Sequence, residues 1–150
     1  MPALDPRSCF EAFLRAVNTR DGAALDQLAH PDFEEVYLQS GERIRGTQNL
    51  RAILDNYPDG YEERGPHRVV GSEDRWVMTP ALTMLRVEGA GDTFTGVSKA
   101  RYPDGSEWYV IHIGEIRDGR VWRVQSFFAP LFDAPAWRSG WVEAAARAER

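Results

Sequence analysis

Three residues could move a proton between them if the fold brings them together: His112, Glu35 and Tyr37. His112 stands alone in W-Y-V-I-H-I-G, sharing one strand face with Trp108 and Val110, while Tyr109, Ile111 and Ile113 take the other. A neutral imidazole there can accept or donate a proton near neutral pH. The plainer alternative is a core histidine satisfied by a backbone group or a tyrosine. Glu35 and Tyr37 lie in F-E-E-V-Y-L-Q, alternating with Val36 and Leu38. If Phe33 faces inward, Glu35 and Tyr37 face inward with it. A carboxyl group in apolar surroundings then has a raised pKa, which suits acid–base work. Tyr37 could donate a hydrogen bond to a developing oxyanion. Glu35 could serve as a second carboxyl group or could orient His112. If Val36 and Leu38 pack inward instead, Glu35 is exposed.

The elements that would carry these residues are well signalled. Ser8 and Glu11 form a capping-box pattern, and Phe10, Phe13, Leu14 and Val17 make one apolar helix face over about 8–18. Asp21 suits the cap of a short second helix, with Leu25, Leu28 and Ala29 inward; His30-Pro31 closes it, His30 sitting where a helix dipole favours it. Residues 33–39 read as a strand, 42–45 as its brief partner. Thr47 opens a third helix with Leu50, Ile53, Leu54 and Tyr57 on one face.

After Pro58-Asp59-Gly60 the pattern is β: 68–71, 76–78, 82–87, 93–102, and then two long runs flanking Asp118-Gly119, a dipeptide suited to a tight hairpin turn. Gly96 and Gly114 read as bends or bulges. After Pro135, Trp137, Trp141, Ala145 and Ala148 recur at helical spacing, predicting a terminal helix over 134–150.

Composition narrows the function classes. A chain of 150 residues is one domain, spanning 1–150 with a core over about 8–130. A net charge of −5 and a pI near 5.2 argue against nucleic acid and against an anionic membrane as partners. The single cysteine, Cys9, permits no internal disulfide and reads as an inert thiol. The absence of an apolar leader or spanning run points to a cytoplasmic protein. There is no glycine-rich phosphate loop, no H-E-x-x-H and no G-x-S-x-G; the histidines at 30, 67 and 112 lack ligand spacing, so no metal is expected. His67 reads as a loop residue, Arg123 as a solvated edge, and Trp76, Trp122, Phe127 and Phe128 as core or interface.

The ordered set F-L-R-A-V-N-T-R-D-G-A-A-L-D-Q-L-A-H-P-D-F (13–33), G-E-R-I-R-G-T-Q-N-L-R-A-I (41–53) and V-W-R-V-Q-S-F-F-A-P (121–130) resembles the SnoaL-like, or polyketide cyclase-like, branch of the nuclear transport factor 2-like and ketosteroid isomerase-like superfamily. With the meander the resemblance covers about residues 8–130, and W-R-x-x-W-V (137–142) resembles uncharacterised members. It implies an α+β fold: a cone-like curved antiparallel sheet packed by three N-terminal helices round a deep hydrophobic pocket, with the C-terminal helix added, often as a homodimer. Fold of this kind hosts isomerases, cyclases, dehydratases, epoxide hydrolases and binding modules.

Isomerase-like members carry a carboxylate base on the first strand, a place that falls near Tyr37 with Glu35 two residues earlier. Their oxyanion-donating tyrosine falls near Phe13, and their protonated carboxylic acid near His112. SnoaL-like cyclases pair a histidine with an aspartate; His112 matches the histidine, and no aspartate accompanies it within the strand. Trp108, Val110, Phe13 and Tyr57 are the expected ligand-lining residues, with Tyr57 and Asp55 near the pocket mouth.

The expected function is therefore a cofactor-independent acid–base isomerase, cyclase or dehydratase acting on a hydrophobic, carbonyl-bearing small molecule. The competing readings are a non-catalytic small-ligand-binding module and a dimerisation module plugged by its own side chains. A homodimer through the sheet is expected because both faces of 108–116 and 121–128 are apolar and three helices cover only one.

Overall fold

In the computed structural model, residues 4–56, 83–101 and 106–143 are described. The expected strands at 68–71 and 76–78, together with Tyr57, His67 and Trp76, lie outside them. Helix α1 spans Pro6–Thr19 and buries Cys9, Phe10, Phe13, Leu14, Ala16 and Val17. It starts earlier than its capping-box pattern suggests. Asp5 is the N-cap, its Oδ1 accepting from Ser8 N at 3.0 Å, and Pro6 occupies the first turn, where a missing N–H costs nothing. Arg20 ends the helix in the left-handed region at φ 56°. Helix α2, Gly22–Leu28, is capped by Asp21 as expected, with Ala24 N donating to Asp21 Oδ1 at 3.0 Å.

Strand β1 follows at once, Ala29–Tyr37, four residues earlier than the sequence pattern implies. His30 and Pro31 are thus strand residues rather than a helix terminus. The pairing of β1 is irregular between Ala29 and Glu34, which accommodates a proline that cannot donate to the ladder. Strand β2, Glu42–Arg45, pairs back on β1. Helix α3 runs Gly46–Asp55 from Arg45 at the N-cap. Thr47, the expected cap, instead donates its hydroxyl to Asp26 Oδ1 at 2.7 Å, tying α3 to α2.

Strands β3 (Thr83–Ala90), β4 (Thr93–Arg101), β5 (Glu107–Arg117) and β6 (Arg120–Pro130) form a meander. Asp118 at φ 52° and Gly119 at φ 72° make the tight β5–β6 turn, the two positive φ values such a hairpin demands. The six strands form one curved, unclosed sheet in the order β2-β1-β6-β5-β4-β3. It is mixed rather than antiparallel throughout: β1 lies parallel to β6. The first strand of the chain thereby covers the edge that the last strand would expose. Where β1 stops at Tyr37, the side-chain amide of Gln39 takes over. Its Nε2 donates to Phe128 O, and its Oε1 accepts from Phe128 N at 2.8 Å.

Helix α1 crosses the inner face of the sheet over two glycines. A Cβ on Gly96 would sit 2.6 Å from Leu14 Cδ1, and one on Gly114 would sit 2.2 Å from Phe10 Cε2. These glycines admit the helix; they are not the bulges expected, since the pairing of β4 with β5 is regular through both. The bulge in the hairpin lies elsewhere, between Glu115 and Ile116 opposite Val121 and Arg123.

On the outer face Tyr109, Ile111, Ile113 and Phe127 are half-buried. The expected terminal helix is absent from the described part of the tail. Only a single 3-10 turn forms, Ala136–Arg138, with Trp137 and Trp141 75% and 83% exposed. Pro135 and Gly140 interrupt helical propagation there.

Candidate functional site

His112 projects from the inner face of β5, opposite Gly96 on β4 and Ser126 on β6. Gly96 contributes no side chain, so the imidazole has one polar neighbour across the strand pair. His112 Nδ1 lies 2.8 Å from Ser126 Oγ. Ser126 registers in turn with Tyr37 on β1, and Glu35 reaches it diagonally along the same face: Ser126 Oγ donates to Glu35 Oε1 at 2.6 Å. All three are buried, with Ser126 fully inaccessible. Phe33 is buried as well, so β1 turns its Phe33/Glu35 face inward, one of the two orientations its sequence allows.

Burial governs the titration of both ends. It pushes the Glu35 carboxyl up to about 7, the hydroxyl of Ser126 opposing the shift, and pushes the His112 imidazole down to about 4. No charged group contributes to either shift. Near neutral pH the imidazole is therefore uncharged. With Ser126 donating to Glu35, Nδ1–H donates to Ser126, and Nε2 carries the free lone pair. Nε2 is buried and has no hydrogen-bond partner among the described residues. A buried, unsatisfied ring nitrogen costs about 1–3 kcal/mol. Chemically, the arrangement is a neutral imidazole linked to an acidic group through a hydroxyl.

Of the other expected site residues, Tyr37 and Val110 stand next to this chain on its own strands. Tyr37 is half-buried on the same face of β1, its ring edge-on to Phe128 at 5.3 Å. Val110 and half-buried Trp108 belong with Ala100 and Phe128 to a second, smaller apolar cluster at the far end of β5, where Trp108 Nε1 donates to Ser106 Oγ at 2.9 Å. Phe13 is buried in the main core with its ring 5.4 Å from Phe33. Asp55 is exposed at the end of α3, and Arg123 Nε stands 3.4 Å from Glu34 Oε1. Cys9 is buried, its thiol near Gly119 O at 3.4 Å and its pKa raised by burial. His30 is held by Asp32 N at 3.0 Å and by Asp118 Oδ2 at 3.4 Å.

Ser126 escaped the sequence reading, which sought a carboxylate on the strand of His112. The one available signal was a small polar residue in the apolar run V-Q-S-F-F. Among the described residues no cluster of three or more histidine, cysteine or acidic side chains could hold a metal ion. A groove of about 630 Å³ opens between β2 and α3, lined by Arg43, Arg45, Asn49 and Ile53 among others, and it shares no residue with the Glu35–Ser126–His112 chain.

The architecture has solved counterparts. An NTF-2-like protein of unknown function from Burkholderia xenovorans LB400 superposes with a TM-score of 0.69 at 28% identity, over 94% of this chain and 95% of that one. A Kribbella flavida protein assigned provisionally as a ketosteroid isomerase gives a TM-score of 0.71 at 20% identity, over 94% and 90%. A LEH-like epoxide hydrolase from M. tuberculosis gives 0.55 at 18% identity, over 82% and 81%. No curated protein matches the chain. Residues 10–124, which include Glu35 and His112 but not Ser126, match the SnoaL-like domain, and the protein belongs to that family.

Proposed function

We propose that this SnoaL-like protein is a cofactor-independent acid–base catalyst for a hydrophobic, carbonyl-bearing small molecule, with His112 Nε2 as the atom that meets the substrate. The observation that supports the reading is the unpartnered state of that buried nitrogen among the described residues, at the end of a hydrogen-bonded chain to Glu35. A substrate C–H or O–H presented to Nε2 would satisfy it. The apolar surroundings keep the imidazole neutral, so it can act as a base without first losing a proton.

The test is proton exchange. The protein is incubated in deuterium oxide with a panel of apolar ketones and enones, and label is followed at the carbon next to the carbonyl. Exchange that disappears in His112→Gln supports the reading. Ligand binding without His112-dependent exchange would make the protein a binding module instead.

A further inference from the structure

We propose that the proton taken at His112 Nε2 is stored on Glu35, having crossed Ser126, so that the imidazole changes tautomer rather than charge. This rests on the acid–base reading and deepens it by assigning Ser126 and Glu35 their parts. Ser126 is a positioning and relay residue, and Glu35 is the group whose proton affinity the site uses.

With the imidazole neutral, as its burial favours, the two hydrogen bonds can run in either direction. In the first, Glu35 is a carboxylate, Ser126 donates to it at 2.6 Å, and His112 Nδ1–H donates to Ser126 at 2.8 Å. Nε2 then holds a lone pair. In the second, Glu35 carries the proton and donates to Ser126, Ser126 donates to Nδ1, and Nε2 carries a hydrogen. The two differ by one proton.

The step that joins them balances. The substrate C–H bond breaks and its proton bonds to Nε2. The Nδ1 proton passes to Ser126 Oγ as the serine proton passes to Glu35 Oε1. The electron pair stays on the substrate, whose oxygen takes the negative charge that Glu35 gives up. No imidazolium accumulates, as the surroundings require. Beside the histidine stand Gly96 of β4, Val110 and Gly114 of β5, and Phe10 and Leu14 of α1, which reach the two flanking glycines. Beside Glu35 stand Val124 of β6 and Ile44 of β2. Among these neighbours none is charged, and among the described residues on the same face of β1 Tyr37 is the further titratable group.

Burial favours the neutral form at both ends. It weakens the proton affinity of His112 to a pKa of about 4 and strengthens that of Glu35 to about 7. A histidine alone would be too weak a base near neutrality; coupled through Ser126, Nε2 works with the proton affinity of the carboxylate.

The experiment is 15N NMR of the His112 ring across pH 5–9, with 13C detection of the Glu35 carboxyl, on the full chain without ligand. The expected result is an Nε2–H tautomer that gives way to Nδ1–H as Glu35 titrates, with no doubly protonated ring in that range. In Glu35→Gln the tautomer should stop responding to pH near 7. In Ser126→Ala the carboxyl should still titrate while the ring no longer follows it, and Ser126→Thr, which keeps the hydroxyl, should restore the coupling.

A ring that becomes imidazolium near pH 7, or a tautomer indifferent to Glu35, overturns the proposal. Should Ser126→Ala fail to fold, Glu35→Gln and the wild-type titration decide alone. The measurement needs no substrate, so its failure is separable from that of the acid–base reading. A fixed tautomer alongside His112-dependent exchange sinks only the relay, whereas a coupled tautomer without exchange sinks only the catalysis. Where exchange is found, Ser126→Ala should slow it roughly 100-fold, in the range of a general acid–base contribution.

Discussion

Glu35 and His112 share one hydroxyl. Ser126 Oγ lies 2.6 Å from the carboxylate oxygen and 2.8 Å from the imidazole nitrogen, and no charged group contributes to the pKa displacement of either titratable group. Their opposite displacements in pKa make folding stability an independent probe of the arrangement.

For Glu35, with its folded pKa raised from 4.5 to about 7, the folded state binds the proton more tightly, so stability is lost as pH rises from 4.5 to 7. For His112, lowered from 6.5 to about 4, the unfolded chain binds the proton more tightly, so stability is lost as pH falls from 6.5 to 4. At ~1.4 kcal/mol per unit each effect is about 3 kcal/mol, and across the shared window they oppose one another. Denaturant titrations should show this by difference from wild type. Glu35→Gln should gain stability relative to wild type as pH rises from 4.5 to 7, and His112→Gln should gain as pH falls from 6.5 to 4. Parallel profiles for all three proteins would mean that the two groups do not titrate as buried.

Gly114 should not tolerate a side chain. Gly114→Ala places a methyl against the Phe10 ring and should cost about 1–3 kcal/mol, with partial recovery in the double variant that also carries Phe10→Leu. Strict additivity in the double-mutant cycle would show that α1 does not rest on β5 at this point.

The outer face of the sheet should bury itself against a second copy. Half-buried Ile111 is in register with Phe127 on one side and Val97 on the other, and none of the three helices packs there. Sedimentation at micromolar concentration should give a dimer for the wild type and a monomer for Ile111→Glu. A wild-type monomer would refute this.

Cys9 should resist alkylation in the folded protein. Its thiol is 1% exposed beside Gly119 O, and burial keeps it protonated. Modification should appear only as denaturant unfolds the chain; rapid native labelling would mean that α1 lifts from the β5–β6 turn.

Much of this molecule was legible in its residues. The apolar spacing of Phe10, Phe13, Leu14 and Val17 marked α1, Asp118-Gly119 marked the hairpin, and His112 and Glu35 stood out as titratable groups in apolar strands. What connected them was not legible, for a reason of register. A hairpin closed at Asp118-Gly119 with regular pairing would set His112 against Gln125. The bulge between Glu115 and Ile116 shifts the ladder by one residue, and Ser126 takes that place. The parallel placement of β1 beside β6, which brings Glu35 to the same serine, joins strands 91 residues apart at that contact and has no local signature. The tail misled for the opposite reason. Trp137 and Trp141 had the spacing of a helix face, but spacing alone does not outweigh Pro135 and Gly140 where no apolar surface receives the tryptophans.

Gln39 supplies by one side chain what strand β1 lacks beyond Tyr37. Its amide occupies both the N–H and the C=O of Phe128, the groups through which another chain would add itself to β6. An unclosed sheet is thus kept from growing sideways at this point. Loss of this one side chain would free the N–H and C=O of Phe128 to pair with another strand.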